Sequence, residues 1–131
     1  MRAQGAFEVQ LNPLEPYAAS QGEGLGRMSI DKQFHGDLQG TSQGEMLTAI
    51  TGVPGSAGYV ALERVSGTLH GRRGSFVLQH SGIMNRGAPR LTVTVVPDSG
   101  TGQLAGLAGS MEILIEAGSH SYIFDYTLDG G

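Results

Sequence analysis

The chain of 131 residues has no cysteine, no tryptophan and few charged side chains. Without cysteine there is no disulfide framework. Lys and Arg number 8 against 12 Asp and Glu, a net charge of −4, and no basic cluster tracks a phosphate backbone. That composition argues against a nucleic-acid partner. No apolar run reaches the roughly 18 residues of a spanning helix, so no membrane partner is expected. The opening stretch MRAQGAFEVQL lacks the apolar core of a secretion signal. A soluble, cytoplasmic protein is the simplest expectation.

Glycine is plentiful: 22 residues, with no G-X-Y period that would signal collagen. The apolar fraction of 39 % suffices for a folded core, and the length suits one domain over residues 1–131. Helical periodicity is nearly absent. Alternating apolar and polar residues run over 5–11, 27–38, 41–51, 58–69, 75–84, 90–96, 110–116 and 120–128. Turn formers bound each run, in NPLEP, GDLQG, GVPGSAG, HGRRG, NRGAP, PDSGTG and EAGS. Eight evenly spaced strands with short connections predict an all-β fold, an eight-stranded antiparallel up-and-down barrel or a sandwich. The stretch 12–26 is the one long loop, expected near a barrel mouth.

Short turns also set which residues face one another. Placing the tips at Leu38-Gln39, within GVPGSAG, at Arg72-Arg73, within NRGAP and at Gly118-Ser119 predicts a register. Lys32 faces Glu45, Ile30 faces Leu47, Leu47 faces Glu63 and Ala49 faces Ala61. Val65 faces His80, Leu69 faces Phe76, His80 faces Val93 and Leu78 faces Val95. Ile113 faces Phe124 and Met111 faces Tyr126. One face then gathers Phe7, Val9, Leu11, Met28, Ile30, Phe34, Leu47, Ala49, Val65, Phe76 and Leu78 with Leu91, Val93, Val95, Met111, Ile113, Ile115, Tyr122, Phe124 and Tyr126. Such agreement among separate turns marks it as the barrel interior.

Lys32, Glu45, Glu63, His80 and Tyr59 fall on the same face. Isolated charges are costly to bury, so they must be paired, neutralised or exposed to a wet cavity. Glu63 lies diagonal to His80, within reach of long side chains. One reading is a general acid/base site, with Glu45 or Glu63 as base and His80 as acid or orienting partner. Lys32 then neutralises the carboxylate, and Tyr59, Tyr122 or Tyr126 hydrogen-bonds an enolate-like oxygen. Phe76, Leu78, Val93 and Phe124 complete the expected ligand wall. The bland reading is two structural ion pairs, and a third is that the group faces solvent or a subunit interface.

Other motifs carry less. Gly40-Thr41-Ser42-Gln43-Gly44 matches G-x-S-x-G but lacks the strand–turn–helix context of a nucleophile elbow. Strand glycines at a tight barrel bend explain it better. Gly22, Gly24 and Gly26 have no strand–loop–helix unit around them. His35, His70, His80 and His120 show no H-x-H or H-E-x-x-H spacing. No cofactor or metal is expected, and Arg72 and Arg73 suit a solvated hairpin tip.

The strings IDKQFHGDLQGTSQGEML, GSAGYVALERVSGTLHGRRGSFVLQHSG and LTVTVVPDSGTGQLAGLAGSMEI resemble domain-of-unknown-function family 3224, small bacterial proteins, over roughly Ala3 to Leu128. The resemblance implies a barrel similar to allene oxide cyclase, in the broad lipocalin-like class, often assembled as a homo-oligomer. It implies no reaction, and no catalytic residue carries over from cyclases with similar barrels. The expectation is a barrel that binds a small apolar or aromatic molecule and performs isomerase- or cyclase-type proton transfer on it. A non-enzymatic lipocalin-like binder and an oligomeric barrel with a filled lumen are the alternatives.

Overall fold

A computed structural model describes residues 1–17 and 24–128 of the chain. Eight strands follow one another in order: β1 (Arg2–Leu14), β2 (Leu25–Phe34), β3 (Leu38–Ile50), β4 (Ala57–Leu69), β5 (Arg72–Asn85), β6 (Ala88–Val95), β7 (Leu107–Glu116) and β8 (Ser119–Leu128). Each pairs antiparallel with the next, and β8 returns to β1, so the sheet closes as an up-and-down barrel. Among the described residues no helix is long and apolar enough to cross a membrane.

Three hairpin tips are two residues long, and all have the form X-Gly. His70-Gly71, Arg86-Gly87 and Ala117-Gly118 carry φ values of +46 and +79, +48 and +91, and +50 and +83. Positive φ at both central positions is the mirror-image turn that matches strand twist, and glycine at its second position adopts it without strain. The β4–β5 tip is therefore His70-Gly71 rather than Arg72-Arg73, and the β7–β8 tip is Ala117-Gly118 rather than Gly118-Ser119. Val65 faces Phe76, Leu69 faces Arg72, Met111 faces Phe124 and Ile113 faces Tyr122. These shifts are even, so the same side chains stay inside. The β5–β6 register is as the sequence predicts, with His80 facing Val93 and Leu78 facing Val95.

Longer connections move the other two registers. The turn between Phe34 and Leu38 spans three residues, with φ +95 at Gly36, and Lys32 faces Ser42 instead of Glu45. Leu47 faces Val60 and Gly44 faces Glu63. A three-residue shift turns the expected inner residues of β3 outward. Glu45, Leu47 and Ala49 consequently sit on the outer wall, while Ser42, Met46 and Thr48 share the inward side with Lys32 and Glu63. The second odd shift cancels the first, which is why β4 keeps Glu63 inside.

The predicted loop over 12–26 is encroached on by strand from both ends. β1 continues through Pro13, paired to Met28, and β2 begins at Leu25. Pro13 is tolerated because β1 meets β8 only over Arg2 to Phe7, leaving its far edge free of a second partner. Residues 18–23 of that loop lie outside the described residues.

One end of the barrel is packed solid. Phe7, Phe34, Leu38, Val65, Leu69, Phe76, Leu78, Tyr122, Phe124 and Tyr126 form a buried cluster. Phe76 stacks on Phe124 at 5.8 Å, and Phe34 meets Tyr122 edge-on at 5.6 Å. Leu104, on the 3-10 turn Gly102–Leu104, is fully buried and plugs this end. Each such side chain contributes roughly 1.5–3 kcal/mol. Gly40 faces Gly67, which faces Gly74, and a Cβ at Gly74 would meet the Leu104 side chain at 3.3 Å. This row of glycines lets three strands coil tightly beneath the plug. Finally, β6 and β7 pair at Thr94↔Ser110, whereas every other neighbouring pair forms a ladder of at least six residues.

Candidate functional site

The half of the lumen opposite the plug is an open cup of about 550 Å³. Met28, Met46, Met84, Leu91, Ile113 and Ile115 line it, with Tyr59 and Thr48 as its hydroxyl groups and Arg90 among the lining residues. Leu91 is 43 % exposed and Ile115 65 % exposed, so these inward-facing apolar side chains look into solvent through the mouth. Leu11, also assigned to the interior, is likewise exposed. Three methionines give the wall soft, adaptable surface.

The polar side chains of the inner face meet midway along the lumen, between cup and plug. Glu63 is the centre. Its Oε1 accepts the Ser42 hydroxyl at 2.7 Å, and its Oε2 accepts both Lys32 Nζ at 2.8 Å and His80 Nε2 at 2.5 Å. Lys32, Ser42, Glu63 and His80 are all buried. The Lys32 ammonium also lies 5.0 Å from the Phe7 ring centre and 5.8 Å from that of Phe34. A buried cation gains there from the faces of two aromatic rings.

Local sequence makes room for this cluster. Gly44 stands opposite Glu63, where a Cβ would come within 2.6 Å of the Glu63 Cα. The G-x-S-x-G string is thus strand backbone at a close approach, and its serine is a hydrogen-bond donor to a carboxylate rather than a nucleophile.

Burial pushes the Glu63 carboxyl up, but the His80 hydrogen bond and the Lys32 charge outweigh it and hold it at about 2. Glu63 is therefore a buried anion held by three donors, whereas burial alone in an apolar pocket would raise its pKa. Because Nε2 of His80 donates to that anion, Nδ1 is the nitrogen left to exchange a proton. It lies 3.4 Å from the Tyr59 hydroxyl. Burial, and then the Glu63 charge, push the Tyr59 hydroxyl above its ordinary value, so it stays protonated. Tyr59 reaches back toward His80 because Gly82 faces it across the strands, and a Cβ on Gly82 would fall 2.8 Å from the Tyr59 Cδ1. The ring lies where a side chain would otherwise stand.

Of the residues singled out in the sequence, Lys32, Glu63, His80 and Tyr59 come together. Glu45 does not: it is exposed on the outer wall and pairs with Arg27 at 2.6 Å. Phe76, Leu78, Phe124, Tyr122 and Tyr126 belong to the packed end and do not line the cup. The Tyr122 hydroxyl is committed to the turn over 35–37, donating to the His35 carbonyl and accepting the Leu38 amide. The Tyr126 hydroxyl hydrogen-bonds His70 Nδ1. Neither phenol is free for a ligand. Val93 is buried in the wall facing His80. Ser42, Met46, Thr48 and Gly82 were not expected at the site. Tyr59 opposite a strand glycine is the signal that would have found Gly82, but it needs the correct tip.

The outer wall differs in character. Leu25, Leu47, Val60, Leu62 and Ile83 are each more than half exposed on β2 to β5. A groove of about 990 Å³ crosses part of this face beside the Arg27–Glu45 pair. It is the larger space, and its Arg27–Glu45 pair is solvated, whereas the buried ionisable cluster lies inside the barrel.

A comparison with curated proteins finds no match. The profile of the family described as "Protein of unknown function (DUF3224)" matches residues 3–126. The crystal structure of a protein with unknown function from the DUF3224 family of Shewanella oneidensis MR-1 is similar at 53 % identity, with a TM-score of 0.94. That similarity covers 100 % of this chain and 98 % of the other. The chain belongs to the DUF3224 family.

Proposed function

We propose that the barrel binds a small apolar or aromatic molecule in its open cup and moves a proton at the cup floor. The observation that carries this reading is the chain Tyr59–His80–Glu63, which runs from the cup-lining Tyr59 to a buried carboxylate held by three donors. Its logic is that of a base held by an orienting anion. Glu63 fixes the tautomer of His80 and balances an imidazolium when one forms. His80 Nδ1 takes or gives the proton, and Tyr59 is the group in contact with the ligand. Lys32 and Ser42 are positioning residues, because they immobilise Glu63 and touch nothing in the cup.

A carbonyl compound of suitable size tests both halves. Incubated in D2O with the protein, 2-tetralone is expected to exchange the hydrogens beside its carbonyl faster than in buffer, and His80→Gln is expected to remove that excess. NMR titration with 4-nitroanisole is expected to shift the methyl signals of Met28, Met46 and Met84. Binding without exchange would leave a lipocalin-like binder. No shift at any cup methyl would refute the reading outright.

A second reading concerns assembly. We propose that the chain self-associates through the outer wall of β2 to β5, where the five exposed aliphatic residues form one patch. The patch carries both members of the Arg27–Glu45 pair, so two copies related by a two-fold axis offer each other opposite charges. Sedimentation at micromolar concentration is expected to show an oligomer that Leu62→Lys dissociates. A monomer in the parent chain would remove the proposal.

A further inference from the structure

The hydrogen-bond inventory of the floor narrows the ligand, given the cup reading above. His80 faces Glu63 and Tyr59 from β4, Lys32 from β2, Ser42 from β3 beyond the carboxylate, and Val93 from β6. Glu63 has no free acceptor directed at a ligand, and His80 Nε2–H is spent on it. When His80 is neutral, its buried Nδ1 is an acceptor, and the donor within reach is the Tyr59 hydroxyl at 3.4 Å. A ligand that also took that proton would leave the buried Nδ1 without a donor, which is unfavourable for a buried acceptor. With its proton turned inward, Tyr59 presents only oxygen lone pairs to the cup. The complement of that surface is a hydroxyl that donates.

Charge leads to the same class. The Lys32 ammonium and the Glu63 carboxylate cancel, so the floor is neutral while His80 is neutral and carries one positive charge once His80 is protonated. A ligand that arrives neutral and leaves its proton behind restores the balance. A phenol or an enol does this, and its carbon skeleton suits the methionine, leucine and isoleucine wall.

We infer that the cup is built for an apolar weak acid bearing a phenolic or enolic hydroxyl, bound as its anion against a protonated His80. The ligand O–H bond breaks as its proton passes to the Tyr59 oxygen, and the Tyr59 O–H bond breaks as that proton passes to His80 Nδ1. Tyr59 ends as it began, a phenol, now donating to the ligand anion. The imidazolium lies between Tyr59 and Glu63. No oxidant, reductant or further reactant is required, and the reverse step returns the proton to the ligand.

The probe is 4-nitrophenol, whose anion absorbs in the visible, against its methyl ether 4-nitroanisole, which has no proton to give. The parent protein is expected to bind the phenol at least about tenfold more tightly than the ether, the preference of one hydrogen bond to a charged group. Bound phenol is expected to show the phenolate band at a pH where the free compound does not. In Tyr59→Phe, which keeps the ring against Gly82, the preference is expected to fall to about one. His80→Gln keeps an N–H for Glu63 but cannot ionise, and the phenolate band is expected to vanish. Equal affinity for phenol and ether in the parent, or a phenolate band that survives both substitutions, would overturn the weak-acid assignment and leave the apolar cup standing. Failure of both compounds to bind would overturn the cup reading, and the weak-acid assignment with it.

Discussion

His80 Nε2 and Glu63 Oε2 lie 2.5 Å apart on adjacent strands, in a lumen where neither side chain is more than a few per cent exposed. The contact ties the pH dependence of folding to one carboxyl. Glu63 is held at about 2 against an ordinary 4.5, so its folded state binds a proton less readily than its unfolded state. A depressed acid contributes stability that is complete above its unfolded value and disappears as pH falls through the folded one. The difference is worth roughly 3 kcal/mol. Thermal unfolding is expected to show stability falling steadily between about pH 5 and pH 2, and Glu63→Gln is expected to flatten that slope.

Lys32 and Glu63 test the same cluster from the other side. Removing one member strands a buried charge, so Lys32→Met is expected to cost about 3–5 kcal/mol in urea unfolding. Replacing both with apolar side chains, as Lys32→Met with Glu63→Leu, is expected to recover most of that loss. A double variant as unstable as the sum of the single ones would show that the two charges do not compensate each other.

Gly82 holds the place of the Tyr59 ring. Gly82→Ala is expected to push that ring from the wall and to destabilise the barrel by about 1–3 kcal/mol, as overpacking does. Adding Tyr59→Ala removes the collision. Chemical denaturation is therefore expected to find Gly82→Ala harmless in a chain that already carries Tyr59→Ala.

Ala117 occupies a left-handed position, φ +50, at a hairpin tip whose neighbouring Gly118 is surrounded by open space. Asparagine accepts that conformation more readily than alanine. Ala117→Asn is expected to raise stability by about 0.5–1 kcal/mol without touching the cup. Calorimetry on the two proteins measures it directly.

The eight strands were legible because alternation is local, and so was most of the packed end, where apolar side chains recur at every second position. Register was legible only where a two-residue X-Gly tip sat at the centre of the assumed turn, as at Arg86-Gly87. The three-residue turn over 35–37 and the longer one over 51–56 leave no such mark, and an odd error there exchanges the two faces of a strand. Glu45 entered the candidate site for that reason, and Leu47 was missed as part of an exposed patch. The Lys32–Glu63 bond escaped for a different reason. It spans from β2 to β4 across the lumen, whereas cross-strand pairing relates only neighbours. Glu63 beside His80 survived because a register error of four residues moves His80 from one diagonal of Glu63 to the other, with Leu78 directly opposite Glu63 in place of Gly82.

The single pairing between β6 and β7 makes the barrel a bracelet with one loose clasp. Above Thr94, the residues from Ala88 to Val93 hang from β5 alone, and with them hangs the wall that carries Leu91 over the cup. Such a segment detaches at the free energy of one ladder instead of two. The cup thus has a seam as well as a mouth: its wall between β5 and β7 is held by one ladder, while the plugged end is closed by its own packing.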